Sequence, residues 1–281
     1  MAEDVASIST SDGNGLLSVD QMARFVVDGY LEFGDLIPEE LNRAVYEDQL
    51  QCVVGSELKE DHQWHVTDNN NSFYEYSAAV REVHDLPQVR AVIRSLVGPG
   101  SDINHSTLHA TPPHWKRSQS WHVDDGYPTF YELMRRPAHS FDILTAYFTH
   151  HVSHEMGPTL VLPGSHMRNV SGKQLARYKN LEGQKSLAGP GGRIIFMHGN
   201  LWHCGQGNLT DHFRFMFKIR FTPRIVQQRQ FNYDGWDSGH IRNYFLHNNH
   251  THILTGEALE VVADREDWWE FLCGSNTSRS I

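Results

Sequence analysis

The sequence predicts a mainly β fold of the sandwich or barrel type, flanked by helices at both ends. Two observations predict it. After residue 100, short stretches near 103–111, 120–124, 142–152, 158–162, 193–197, 201–206 and 213–222 alternate or run apolar, with Pro and Gly between them. Many short strands at such spacing mark an all-β sandwich or barrel. Before residue 100, apolar residues recur at helical spacing instead.

The elements follow in order. Residues 1–17 are rich in Ser, Gly, Asp and Asn and read as a disordered tail. Ser18 caps a helix in which Val19, Met22, Phe25 and Val26 share a face, and Gly29 ends it. Gly29 to Phe33 reads as a short strand. Pro38-Glu39-Glu40-Leu41 opens a second helix running to about Cys52, with its carboxylates in the first turn. Residues 55–75 are polar and read as a loop. Leu86 to Val97 forms a third helix, stopped by Gly98-Pro99-Gly100. Residues 125–141 form an aromatic insert, placed to cover whatever the preceding strand binds. Thr251–Leu259 and Asp264–Cys273 read as two closing helices, with Trp268, Trp269 and Phe271 packed on the sheet. Residues 18–281 therefore read as a single domain, with its β core at about 101–225.

Whole-chain properties narrow the function. The chain has 281 residues, of which 39% are hydrophobic, enough for a core. Its net charge of −10, with no long basic run, argues against nucleic acid as a partner. No window approaches a membrane-spanning apolar run. Cys52, Cys204 and Cys273 are odd in number and far apart, which predicts a reducing compartment and no disulfide framework. The first residues are polar and acidic, and Ser278-Arg279-Ser280-Ile281 is not a peroxisomal Ser-Lys-Leu address, so a cytoplasmic location is expected. The sequence specifies no oligomeric state.

The chemistry sits in His122-Val123-Asp124, in His203 and in Arg214. Two histidines and a carboxylate are the ligand set for non-haem Fe(II) with open positions. An arginine grips a carboxylate with a planar fork of donors. The triplet alone says little: with 19 histidines in the chain, about one His-x-Asp is expected by chance. Its spacing puts both side chains on one face of a strand. From the residues alone, His198 and His203 compete to be the third ligand.

Four separated motifs occur together: Trp121-His122-Val123-Asp124, the run Gly157-Pro158 to Pro163-Gly164-Ser165-His166, the pair His198 and His203, and the Gly-rich stretch through Asn208 to Arg214. In this combination the chain resembles the phytanoyl-CoA dioxygenase family of Fe(II)/2-oxoglutarate-dependent oxygenases, over roughly residues 18–225. The resemblance implies a double-stranded β-helix, a jelly roll of the cupin type. It implies Fe(II) on His122, Asp124 and His203, with 2-oxoglutarate and O2 as co-substrates. In the family the 2-oxoglutarate arginine lies eleven residues after the last ligand. That spacing selects His203 and Arg214, and leaves His198 to shape the strand end or support a ligand. Relatives often carry Ser two residues after the last ligand; here Gly205 stands there. Thr159, His105, Thr107 and His109 are the candidates to replace its contact with the co-substrate. Relatives with Gly or Ala in place of the aspartate halogenate, so Asp124 implies oxygenation.

The expected reaction is oxidation of an unactivated C–H bond in a small molecule, with release of succinate and CO2. Hydroxylation, desaturation, cyclisation and epoxidation are all open, and natural-product tailoring is the expectation by analogy. Trp121, Tyr127, Phe130 and Tyr131 are the candidate substrate contacts. The alternatives are a non-catalytic jelly roll that binds metal or ligand, a Zn hydrolase on the same scaffold, and an acyl-CoA hydroxylase. The first predicts loss of a ligand or of the arginine, and neither is lost. Hydrolysis needs no keto-acid anchor, and no extended basic patch offers itself to the phosphates of a CoA ester.

Overall fold

The computed structural model describes residues 15–54, 72–124, 141–168, 172–248, 250 and 256–275. Helix α1 (Val19–Asp28) starts in a reciprocal cap: Ser18 Oγ accepts from the Gln21 N–H, and Gln21 Oε1 accepts from the Ser18 N–H. Gly29, at φ 80°, ends it in the left-handed region and turns the chain directly into β1 (Tyr30–Phe33). Helices α2 (Glu39–Val54), α3 (Ser72–Tyr76), α4 (Ala78–Asp85) and α5 (Pro87–Val97) follow. Strands β2 (Asp102–Thr111), β3 (Ile143–Phe148) and β4 (Thr159–Val161) come next, then a 3-10 turn at Ser165–Met167 and a short helix α6 (Gly172–Leu175). The chain closes with β5 (Lys185–Ser186), β6 (Arg193–His198), β7 (His203–Gly205), β8 (Arg214–Thr222), α7 (Gly239–His247) and α8 (Gly256–Leu272).

The strands form two antiparallel sheets, ordered β1-β6-β3-β8-β2 and β5-β4-β7. This is the jelly-roll arrangement that the family resemblance implies. Alternation decides what each face does. On β8, Phe215, Phe217, Ile219 and Phe221 turn outward into the core shared with α1 to α5, while Arg214, Met216 and Lys218 turn inward. On β3, Ile143 and Tyr147 join the same outer core, and Leu144, Ala146 and Phe148 pack between the sheets against Val161 and Leu187. A third cluster, Trp121, Leu160, Leu162, Leu175, Trp202 and Cys204, covers the far side of the small sheet.

Several expectations are corrected. Leu17, inside the stretch read as a disordered tail, is fully buried, and its N–H donates to Ser95 Oγ. Residues 1–14 lie outside the described residues. Ser72–Glu75, the end of the stretch 55–75 read as loop, belong to helix α3, residues 55–71 lie outside the described residues, and α4 was not expected. Residues 120–124 form no strand; His122 alone makes a bridge, to His203. Thr251–Thr255 lie outside the described residues; from Gly256 on, the two expected closing helices are one continuous helix, α8, because nothing in Glu260-Val261-Val262-Ala263 breaks it. Trp268 packs edge-on to Phe141 and His198 and beside Phe25 of α1, and Trp269 packs on Phe231 and Phe245. These rings lock α8 onto α1 and α7 more than onto the sheet face.

Three buried histidines lie in these cores. Burial pushes the imidazoles of His84 and His198 down to about 4 and about 3, from 6.5, and His166 also falls well below 6.5. Each is neutral in the fold but titrates near 6.5 once unfolded. A depressed base stabilises nothing extra above 6.5 and costs stability below it, because only the unfolded chain takes up the proton. Urea unfolding midpoints should therefore fall as the pH is lowered from about 6.5 toward 4, and His198→Phe should make that fall shallower. A slope unchanged in His198→Phe would assign the acid sensitivity elsewhere.

Candidate metal centre

Three elements meet at the open end of the inter-sheet space. His203 opens β7, opposite Val161 of β4. The backbones of His122 and His203 exchange two N–H···O=C bonds of 3.0 Å, so the two side chains share a face with ring centroids 4.4 Å apart. Asp124, two residues on, returns to the same face.

Hydrogen bonds set the tautomers. His122 Nδ1–H donates to the Ser120 carbonyl (2.8 Å), and His203 Nδ1–H donates to the Leu201 carbonyl (2.9 Å). Each Nε2 is left with its lone pair directed inward. The two Nε2 atoms lie 3.7 and 3.8 Å from Asp124 Oδ1, too far for direct hydrogen bonds. His122, Asp124 and His203 offer one ligand atom each, all within 4.8 Å of one another. Two nitrogens and one carboxylate oxygen fit a divalent transition ion such as Fe(II).

Lys218 Nζ donates to Asp124 Oδ2 at 2.8 Å, and Arg220 Nη2 donates to the Asp124 carbonyl at 2.7 Å. Burial alone would raise the Asp124 carboxyl; His203, Lys218 and His122 more than offset it, and the group lies well below the usual carboxylate range. Burial pushes the His203 imidazole down to about 4. Of the three, Lys218 is the one that also hydrogen-bonds the carboxylate, through Oδ2. Sequence reasoning missed Lys218. It stands four residues after Arg214 on the same strand, so the two-residue period places both on the inner face.

A cavity of about 280 Å³ opens onto this cluster, lined by His105, His109, Gln119, Thr159, Met197, Gly205, Arg214, Met216 and Lys218 with the three candidate ligands. Arg214 is 2% exposed. Its Nη2 donates to Thr111 Oγ1 at 2.7 Å, while Nε and Nη1 are buried with no acceptor among the described residues. Among the described residues no carboxylate lies within ion-pair distance of it, and burial pushes its guanidinium down to about 10. A buried guanidinium with an unfilled fork fits a carboxylate ligand such as one end of 2-oxoglutarate.

The other predicted residues divide. His105, His109 and Thr159 line the cavity, and the His105 ring bonds Thr107 Oγ1 at 2.9 Å. Trp121 does not line it. It is 1% exposed in the cluster behind the small sheet, and its Nε1 donates to the Lys179 carbonyl. Adjacent residues in extended chain face opposite ways, so with His122 inward Trp121 must point outward. Tyr127, Phe130 and Tyr131 lie outside the described residues. His198 is away from the cluster, stacked on Phe141 at 4.9 Å, and its Nδ1 accepts from the Asn200 N–H at the end of β6.

The Gly-Pro and Pro-Gly-Ser-His runs are architectural. A Cβ on Gly157, whose φ is +75°, would strike the carbonyl oxygens of Gln206 and Gly207 at 2.5 Å. Ser165 Oγ accepts from the N–H of Trp202, next to His203. Asn208, fully buried, donates to the carbonyls of Pro112 and His212 and so pins the turn that delivers Arg214.

These positions separate the two histidines of the Gly-rich motif. His203→Ala should abolish stoichiometric Fe(II) binding, whereas His198→Ala should keep it and lose fold stability. Metal content after anaerobic loading, read beside thermal unfolding, checks both. Iron lost in His198→Ala and kept in His203→Ala would reverse the assignment.

Comparison with known proteins gives the fold and the family. No curated protein matches the sequence. Among solved structures, EctD from S. alaskensis superposes with a TM-score of 0.59 at 20% identity, covering 79% of this chain and 82% of that one. AviO1 from Streptomyces viridochromogenes Tue57 gives 0.57 at 13% identity, covering 75% of this chain and 97% of its own. SnoK, a non-haem α-ketoglutarate-dependent carbocyclase from nogalamycin biosynthesis, gives 0.56 at 16% identity, covering 79% and 90%. At these identities the likeness is one of fold. The family profile named phytanoyl-CoA dioxygenase (PhyH) matches residues 27–216. The chain belongs to the phytanoyl-CoA dioxygenase family of Fe(II)/2-oxoglutarate-dependent oxygenases.

Proposed function

We propose that this Fe(II)/2-oxoglutarate-dependent dioxygenase oxidises an unactivated C–H bond of a small organic molecule. One observation carries the reading: a His–Asp–His cluster shares one cavity with a buried guanidinium whose Nε and Nη1 have no acceptor among the described residues. The cluster supplies a metal's ligands, and Arg214 supplies the counter-charge for an acid bound beside it. His122, Asp124 and His203 are the proposed ligands, and Arg214 the proposed anchor of the distal carboxylate of 2-oxoglutarate.

When bound, Fe(II) with 2-oxoglutarate and O2 supplies the oxidising power, with succinate and CO2 as by-products. The protein's own part is placement. The Ser120 and Leu201 carbonyls hold the imidazoles in one tautomer. Lys218 ties up Asp124 Oδ2, which leaves Oδ1 toward the histidines. Met197 and Met216 give the cavity an apolar wall, and His105, His109 and Thr159 give it donors and acceptors to orient the bound acid.

A small-molecule substrate fits a cavity of this size. It is also in keeping with the neighbours: SnoK comes from nogalamycin biosynthesis, and one EctD structure holds 2-oxoglutarate and 5-hydroxyectoine. Natural-product tailoring is the proposed context, by hydroxylation, desaturation, cyclisation or epoxidation. Tyr127, Phe130 and Tyr131, which follow Asp124 in the chain, are proposed substrate contacts. Arg214 and Lys218 are the only Lys or Arg among the described cavity-lining residues, which gives little support to an acyl-CoA substrate. No helix among the described residues is long and apolar enough to cross a membrane, and a cytoplasmic site of action is part of the proposal.

Two variants test the reading. Arg214→Lys keeps charge but loses the fork. It should raise the 2-oxoglutarate Michaelis constant at least tenfold, roughly the loss of one charge-assisted hydrogen bond, with a small effect on Fe(II) affinity. Unaltered 2-oxoglutarate dependence would place the anchor elsewhere. Lys218→Met should weaken Fe(II) about 10-fold or more, as expected when a ligand's supporting partner is removed; equal metal affinity in an equilibrium titration would deny it that role.

A further inference from the structure

Gly205 stands where the resembled family often carries a serine, and the structure shows what occupies the space. Gly205 lies in β7 opposite Thr159, and its φ is not in the left-handed region. Its backbone therefore does not require glycine, but its surroundings leave little room for a side chain. A Cβ there would lie 3.0 Å from Gln119 Oε1, 3.5 Å from Gln119 Cδ and 3.6 Å from Arg214 Nη2. The volume of a residue-205 side chain is already filled by the amide of Gln119, and that volume borders the Arg214 guanidinium.

Gln119 is clamped in place. Its backbone N–H donates to the Gly205 carbonyl at 2.8 Å, and its Oε1 accepts from the Gly205 N–H at 2.9 Å. The second bond fixes the amide's orientation, because an N–H needs an acceptor and only Oε1 is one. Nε2, with two donors, has no hydrogen-bond partner among the described residues, on a side chain that lines the cavity with Arg214.

We propose that the Gln119 amide is a second anchor of the co-substrate's distal carboxylate, donating from Nε2 beside Arg214, and that residue 205 is glycine to make room for it. The proposal rests on the reading of the cavity as a 2-oxoglutarate site. In it, a neutral donor borrowed from the segment before the first ligand replaces a hydroxyl carried on β7.

The test is calorimetric titration of 2-oxoglutarate into Mn(II)-loaded, full-length protein without turnover, with Mn(II) affinity measured in parallel. Gln119→Glu keeps the Oε1 acceptor that Gly205 needs but removes the donor and adds negative charge. It should weaken 2-oxoglutarate about tenfold or more and leave Mn(II) affinity and melting temperature near those of the parent. Gly205→Ser should weaken 2-oxoglutarate by crowding Oε1. In a Gln119→Ala background the same Gly205→Ser change should instead restore binding, since the serine hydroxyl then has both the room and the neighbour. Unchanged 2-oxoglutarate affinity in Gln119→Glu overturns the proposal. So does an equal loss of Mn(II) affinity, which would mean that Gln119 only holds β7. So does Gly205→Ser harm that is as large in the Gln119→Ala background as in the parent. Arg214→Ala separates this from the underlying reading: if it too leaves 2-oxoglutarate affinity intact, the cavity is not the co-substrate site at all.

Discussion

The antiparallel bridge between His122 and His203 carries the site. Residues 120–124 form no regular strand, so two backbone hydrogen bonds to β7 are what turn that segment's side chains inward. Through the bridge, the register of β7 against β4 sets His203, His203 sets His122, and the two-residue period sets Asp124. The five-stranded sheet contributes from the opposite side. β8 brings Lys218 to the carboxylate and Arg214 to the far end of the cavity, and neither would face it without the pairing of β8 between β3 and β2.

The two inward cations of β8 illustrate opposite solutions to burying charge. Lys218 has its partner in the protein, and the pair is satisfied with or without ligand. Among the described residues, Arg214 has one neutral acceptor, Thr111, and two buried nitrogens with none. A group in that condition lowers the stability of the folded chain by itself and raises it when an anion arrives. Binding and folding are therefore linked through Arg214 in a way they are not through Lys218.

Much of the fold could be read from the chain because its signals are local. Ser18 and Gly29 bracket α1, Pro and Gly separate the strands, and alternation on β8 is plain in Arg214-Phe215-Met216-Phe217-Lys218. The spacing of His122, Asp124, His203 and Arg214 likewise brought together the residues that line one cavity. What could not be read depends on which segments become neighbours. Trp121 looked like a cavity residue because it adjoins His122, but adjacency in extended chain means opposite faces. Gln119 was invisible because its role depends on the empty Cβ position of a residue 86 places away. Thr159, His105 and His109 were ranked as stand-ins for a missing serine, and the atom nearest the vacant position belongs to none of them.

The placement of Arg214, Met216 and Lys218 on alternate positions of one strand has a consequence for how this site can vary over evolutionary time. Substitution at any of them alters one wall of the cavity and leaves the others in place. Inserting or deleting one residue between Arg214 and Lys218 reverses the facing of everything beyond it. Lys218 would enter the apolar core beneath α3 and α4, and an apolar side chain, such as Phe217 after an insertion or Ile219 after a deletion, would replace it against Asp124. Descendants of this chain can therefore explore new substrates by exchanging side chains along β8, while its length stays frozen. Changes in length must be confined to the connections outside the strand.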